Sequence, residues 1–148
     1  MDITNIIKAN IRSTADRLGD ASVTTAESMI PLMDDSAYLN KITDITYGTK
    51  TDKEKLDIFY PSERNGPWPV FMEVHGGAWY FGQKKSVEFE PFLTGLKRGF
   101  ACVSVGYTLS PQGHYPLPVQ EIKAAVRFLR KNAEKYRIDP NRIVLWGG

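Results

Sequence analysis

The stretch HGGAWYFG, residues 75–82, concentrates the residue types best able to do chemistry. Gly76 and Gly77 are consecutive, so the backbone there can turn tightly and bring N–H groups, unobstructed by side chains, up to a bound oxygen. That is the construction of an oxyanion hole, in which N–H donors meet the negative charge developing on a carbonyl oxygen under attack. Gly77 and Ala78 are the expected donors, with Gly76 making the turn. His75 carries a ring that can move protons. A histidine fixed at the mouth of a loop is nevertheless expected to support it by hydrogen bonding rather than to act in catalysis. Trp79, Tyr80 and Phe81 either line a pocket for an acyl group or pack beneath the loop. The second histidine, His114, sits in the turn-rich SPQGHYP and is likewise expected to be structural.

A loop of this kind must be held by a scaffold. It follows PVFMEVH, a mostly apolar run that reads as a buried strand, and FACVSVGY and RIVLWGG are two more of the same kind. Cys102, inside the second, is a core residue. Helical patterns separate the three. Ser86 is expected to cap a helix in which Phe89, Phe92, Leu93 and Leu96 share a face, with Gly99 at its end. Val119, Ile122, Val126, Leu129 and Ala133 recur at three and four residues while Gln120, Lys123, Arg127, Arg130 and Lys131 take other faces, which predicts a second helix ending before IDP. Upstream, ITDITYG and KLDIFYP alternate apolar and polar residues around the polar turn TKTDKE and predict an antiparallel strand pair. Strand, helix, strand, helix, strand with short links implies a parallel sheet with right-handed crossovers, so the fold class is α/β. Residues 1–40 stand apart as a helical, lid-like segment. Ile3, Ile6, Ile7, Ala9, Ile11, Ala15 and Leu18 form a helical stripe stopped at Gly19, and 21–39 reads as a lid or linker loop with at most one helical turn. Residues 41–148 form the sheet domain.

Composition narrows the function classes. With 42% hydrophobic and 24% charged residues the 148-residue chain has globular composition. Its net charge of +2 is spread through mixed runs such as KNAEKYR, which offers no basic stripe for a nucleic acid. One cysteine excludes an intrachain disulfide, and with only two histidines beside it there is no metal-ligand spacing, so no metal is expected. The lone cysteine points to a reducing, cytoplasmic setting. The first twenty residues lack the basic and apolar regions of a signal peptide, and no run is long enough to span a bilayer, so no membrane partner is expected.

Taken together, HGGAW, YTLSP followed by YP, and IDPNRIVLWGG resemble the esterases of the α/β-hydrolase fold over residues 42–148. The nearest groups are the hormone-sensitive-lipase-like and the feruloyl- and acetyl-xylan-esterase-like ones. The resemblance implies a carboxylic ester hydrolase acting on a small-molecule ester through a Ser-His-Asp/Glu acyl-enzyme mechanism, without cofactor or metal. In that family RIVLWGG leads into the nucleophile elbow G-x-S-x-G, with Gly147 as its first glycine, Gly148 as its variable position and the nucleophile next. The acid and histidine follow later in the family order. The chain therefore looks like the N-terminal portion of an α/β-hydrolase, an incomplete sheet that carries the oxyanion loop only. None of Ser13, Ser28, Ser36, Ser62, Ser86, Ser104 or Ser110 lies in a G-x-S-x-G context, so the 148 residues alone are expected to be inactive. Ala78 stands where the family often has glycine, which keeps the N–H and adds a methyl group, and Thr108 replaces the arginine common in YRLSP. Two alternatives stay open: a noncatalytic binding protein that keeps fold and pocket, and an inactive truncated gene product.

Overall fold

The computed structural model describes residues 30–62 and 65–148. The stripe expected as a helix over residues 3–18, its stop at Gly19 and the loop up to residue 29 lie outside them. Five strands form one mixed sheet: β1 (Lys41–Thr46), β2 (Lys55–Phe59), β3 (Trp68–Val74), β4 (Ala101–Val105) and β5 (Ile138–Gly147). Their spatial order is β1-β2-β4-β3-β5. The pair β1–β2 is antiparallel, as the alternation around TKTDKE predicts, and β2 also runs antiparallel to β4. By contrast β3, β4 and β5 are parallel. The chain steps outward from β3 to β4 and then returns past β3 to β5. Right-handed crossovers in opposite directions place their connecting elements on opposite faces and open a crevice at the carboxyl ends of the strands.

The packing follows from the period of two along each strand. On β4, Ala101, Val103 and Val105 join Val70 and Met72 of β3 in a core closed by Ala125 and Leu129 of α1 (Leu117–Lys131). Cys102 points to the other face, where Phe89 and Leu93 of the β3–β4 connection pack with Phe59 and Met33. Phe71 of β3 meets Phe92 there at 5.1 Å between ring centroids. Each such fully buried Leu or Phe contributes about 1.5–3 kcal/mol relative to exposure.

Three expectations need correction. The connection opened by Ser86 is a 3-10 helix over Val87–Arg98 rather than an α-helix. Pro91 lies inside it and has no N–H to donate, so regular α hydrogen bonding is interrupted. Ser86 makes no capping hydrogen bond, and its buried hydroxyl has no partner among the described residues. Gly99 does close the helix, in the left-handed conformation at φ 80°. The predicted face of α1 holds in part: Leu129 is buried and Ile122 and Val126 pack against the core, but the buried line runs through Pro118, Glu121, Ala125 and Leu129, and Val119 is exposed. Finally β5 starts at Ile138, ahead of RIVLWGG, and its Val144, Leu145 and Trp146 are exposed because β5 is the outer strand of the described sheet.

Candidate active site

The loop after β3 runs through a series of left-handed residues: Gly77 at φ 116°, Ala78 at 53°, Trp79 at 63° and Gly82 at 90°. A non-glycine residue at positive φ is uncommon and persists only where its surroundings enforce it. Here they do. The N–H groups of Tyr80 and Phe81 both donate to the Gly77 carbonyl at 3.0 Å, and Ser110 N–H donates to the Trp79 carbonyl at 2.7 Å. Gly77 has no room for a side chain, since a Cβ would stand 2.2 Å from the Phe81 carbonyl oxygen. At Gly82 a Cβ would stand 2.6 Å from His75 Nδ1 and 2.7 Å from the Gly76 carbonyl oxygen. His75 itself is buried and donates from Nδ1 to the Gly76 carbonyl at 2.9 Å. Its ring stacks on Tyr107 at 4.3 Å, and the Tyr107 hydroxyl donates to the His75 carbonyl at 2.7 Å. Burial and the carboxylates of Glu73 and Glu88 push the Tyr107 hydroxyl pKa above its ordinary value, keeping it a neutral donor. The N–H groups of Gly77 and Ala78 meet no acceptor among the described residues.

These two residues border a cleft of about 570 Å³ at the carboxyl end of β3, with Trp79, Val119, Ile122, Gly147 and Gly148 among its walls. The terminal glycines come close to the loop. A Cβ on Gly147 would stand 3.1 Å from the Val74 carbonyl oxygen, and one on Gly76 would stand 3.5 Å from the Gly148 carbonyl oxygen. A side alcove of about 270 Å³ opens past Trp79 and Val119 toward Tyr80, Ser110 and Tyr115. Of the three aromatics, Trp79 is 63% exposed and borders both spaces, Tyr80 borders the alcove alone, and Phe81 borders neither. His114 lines neither space, and no described serine lines the cleft. Ser110 borders the alcove, and its hydroxyl donates to the Gly113 carbonyl at 3.2 Å.

Sequence reasoning missed two polar groups beneath the site. The first is a row across the sheet, where Asp57 of β2, Ser104 of β4 and Glu73 of β3 stand side by side in register. All three are buried. The Ser104 hydroxyl donates to Glu73 Oε2 at 3.3 Å and accepts Lys85 N–H at 2.7 Å. Burial pushes the Glu73 carboxyl up to about 7, the Ser104 hydrogen bond working against it and the Glu88 carboxylate with it. The second group answers the replacement of arginine by Thr108. Glu121, buried on α1, accepts Thr108 N–H at 2.6 Å, and its Oε1 lies 2.8 Å from Thr108 Oγ1 and 3.2 Å from Thr51 Oγ1. The segment after β4 is thus tied to α1 by a carboxylate and two hydroxyls. A lone charged residue in LDIF, FMEV or VQEI gives no sign of such burial, because the signal lies in strand register and helix phase.

Among the described residues no helix is long and apolar enough to cross a membrane. Comparison with known proteins agrees with this architecture. The chain is similar to esterase LipQ of Mycobacterium tuberculosis, with 31% identity over 116 residues that cover 75% of this chain and 27% of that protein. Among solved structures it is similar to a truncated form of a carbohydrate esterase from gut microbiota, at 31% identity and a TM-score of 0.65, over 78% of this chain and 41% of that one. Esterase B of Lactobacillus rhamnosis shares the fold at 20% identity, with a TM-score of 0.67 over 99% of this chain and 46% of its own. The chain thus spans about a quarter of the curated relative and under half of each structure. The loop, Gly147 and Gly148, and the parallel strands β3, β4 and β5 all fall inside residues 56–148, which the BD-FAE family model matches, and the chain belongs to that family on a partial α/β-hydrolase fold.

Proposed function

We propose that this chain supplies the oxyanion loop and half of the substrate cleft of a carboxylic ester hydrolase. The observation that carries the reading is the pair of uncommitted N–H groups at Gly77 and Ala78, bordering a cleft that Gly147 and Gly148 also line. An ester carbonyl seated there would receive two backbone donors on its oxygen. Attack by a serine hydroxyl would place the negative charge on that oxygen, the ester C–O bond would break with release of the alcohol, and water would then hydrolyse the acyl-serine. The serine, its histidine base and the orienting acid are assigned to the part of the full protein outside the share that this chain covers. Esterase function in the named relatives supports the reaction class.

The test is to read the gene past the Gly148 codon and assay the full-length protein with p-nitrophenyl acetate and butyrate. Serine followed by any residue and glycine, turnover that persists through repurification, and stoichiometric inactivation by a fluorophosphonate are the expected results. A full-length protein that binds an ester analogue without turnover is a binding protein, and the hydrolase reading fails.

A further inference from the structure

The oxyanion loop has two limbs. The outgoing limb leaves β3 at His75, and the return limb, residues 82–86, leads into the 3-10 helix. The return limb makes direct polar contact with the buried row on the sheet. Lys84 Nζ reaches both carboxylate oxygens of Asp57, at 2.9 and 2.8 Å, and also lies 2.9 Å from Asp44 Oδ1. The next residue, Lys85, donates its N–H to the Ser104 hydroxyl at 2.7 Å and its Nζ to Asp35 Oδ2 at 2.8 Å. Lys85 is held at φ 59°, a conformation that needs enforcement in a residue with a Cβ. Asp57 is fully buried and has a further duty, accepting Asp44 N–H at 2.7 Å. Two residues before Lys84, Gly82 sits over His75 Nδ1 and the Gly76 carbonyl with no space to spare. A shift in the return limb is therefore passed directly to Gly76 and, through the Phe81 N–H bond to the Gly77 carbonyl, to the donor turn.

We propose that Asp57 and Ser104 are positioning residues for the oxyanion loop, fixing its return limb to the sheet through Lys84 and Lys85. Neither borders the cleft. Their action on the reaction is indirect, by keeping the N–H groups of Gly77 and Ala78 aimed at one point. That catalytic consequence rests on the hydrolase reading above, whereas the hold on the loop does not.

Asp57→Asn keeps an acceptor for Asp44 N–H but removes the charge that Lys84 meets, and Ser104→Ala removes the acceptor for Lys85 N–H while deleting a single atom. Lys84→Arg is the conservative control. Hydrogen–deuterium exchange on the full-length protein reads the amides of Tyr80, Phe81 and Val87, whose own acceptors are untouched by these changes. The expected result is exchange at least about fivefold faster at these amides in Asp57→Asn and Ser104→Ala, with the amides of α1 unchanged and Lys84→Arg close to wild type. In the esterase assay kcat should fall about tenfold or more with KM little altered, since a displaced donor weakens only transition-state binding. Unchanged loop exchange in folded variants overturns the proposal, and so does acceleration spread evenly over α1 and the sheet, which would make the two residues general supports. Faster loop exchange with unchanged kcat in an active enzyme also overturns it as a positioning role. A wild-type protein without esterase activity would sink the hydrolase reading alone, and the exchange data would still decide whether Asp57 and Ser104 hold the loop.

Discussion

Gly77→Ala tests the donor geometry most directly. The residue sits at φ 116°, outside every region that an L-amino acid with a Cβ readily occupies. In the native turn the new methyl carbon would stand 2.2 Å from the Phe81 carbonyl oxygen, 2.6 Å from its carbonyl carbon and 3.1 Å from its Cβ. The first of these is about 1 Å or more inside ordinary contact, and the obstacle is backbone, so no side-chain rotation relieves it. The loop must move by roughly that distance, breaking the two hydrogen bonds that the Gly77 carbonyl accepts from Tyr80 and Phe81. A displacement of about 1 Å at a reacting centre lowers rates by about a hundredfold, and loss of an oxyanion donor lowers kcat by about a hundred- to a thousandfold. We therefore expect kcat on a short-chain p-nitrophenyl ester to fall at least about a hundredfold in the full-length protein, with KM changed much less. Ala78→Gly is the paired control. It keeps the N–H at φ 53°, where glycine is unstrained, and should leave kcat within about twofold of wild type. A folded Gly77→Ala protein with near-native kcat would refute the assignment of this turn as the oxyanion hole.

Two further outcomes follow from the buried carboxylates. Glu73 is raised by burial from 4.5 to about 7, so it binds a proton more tightly folded than unfolded; its contribution to stability is fully present below about pH 4.5 and is lost as pH rises through 7. Glu73→Gln should therefore match wild type in urea denaturation at pH 4.5 and exceed it at pH 8, by up to about 3 kcal/mol, and a variant less stable than wild type at pH 8 contradicts this. Glu121→Ala leaves the Thr108 N–H and two hydroxyls without their carboxylate acceptor, and should destabilise the protein by about 1–3 kcal/mol in a thermal melt, with no effect meaning that the Thr108–Glu121 tie carries little of the fold.

The elements were legible where a local pattern decides them. The apolar runs of β3 and β4 are buried on both faces, as a strand covered by helices must be, and the alternation of ITDITYG and KLDIFYP gives the antiparallel pair. The 3-10 helix was read as an α-helix because the spacing of Phe89, Phe92, Leu93 and Leu96 suits either period over so short a span, and Pro91 decides between them. In α1 the apolar spacing finds Ile122, Val126 and Leu129 on the core side but not the buried Glu121, which an apolar stripe cannot mark. Its burial depends on Thr51 and Thr108, which are 70 and 13 residues away in the chain. The strand order β1-β2-β4-β3-β5 likewise has no local signature, since register between strands distant in sequence is settled only when the sheet assembles.

The site shows the same division at the scale of single dihedrals. HGGAW marks the turn, and the types of Gly76 and Gly77 state that the backbone approaches something closely. What the letters do not state is that left-handed geometry continues beyond the glycines through Ala78 and Trp79. That continuation changes which experiment is informative. Replacing Ala78 by proline, the obvious way to delete its N–H, forces φ to about −65° where the turn requires 53°, so the variant would lose the turn along with the donor. Enforcement of the left-handed run comes from groups outside the motif: Ser110 N–H on the Trp79 carbonyl, Tyr107 beneath His75, and the Asp57–Lys84 and Ser104–Lys85 contacts under the return limb. The proposed oxyanion loop is thus a local sequence motif whose shape is held from as far as two strands away, and the side chains that hold it look, letter by letter, like ordinary polar residues.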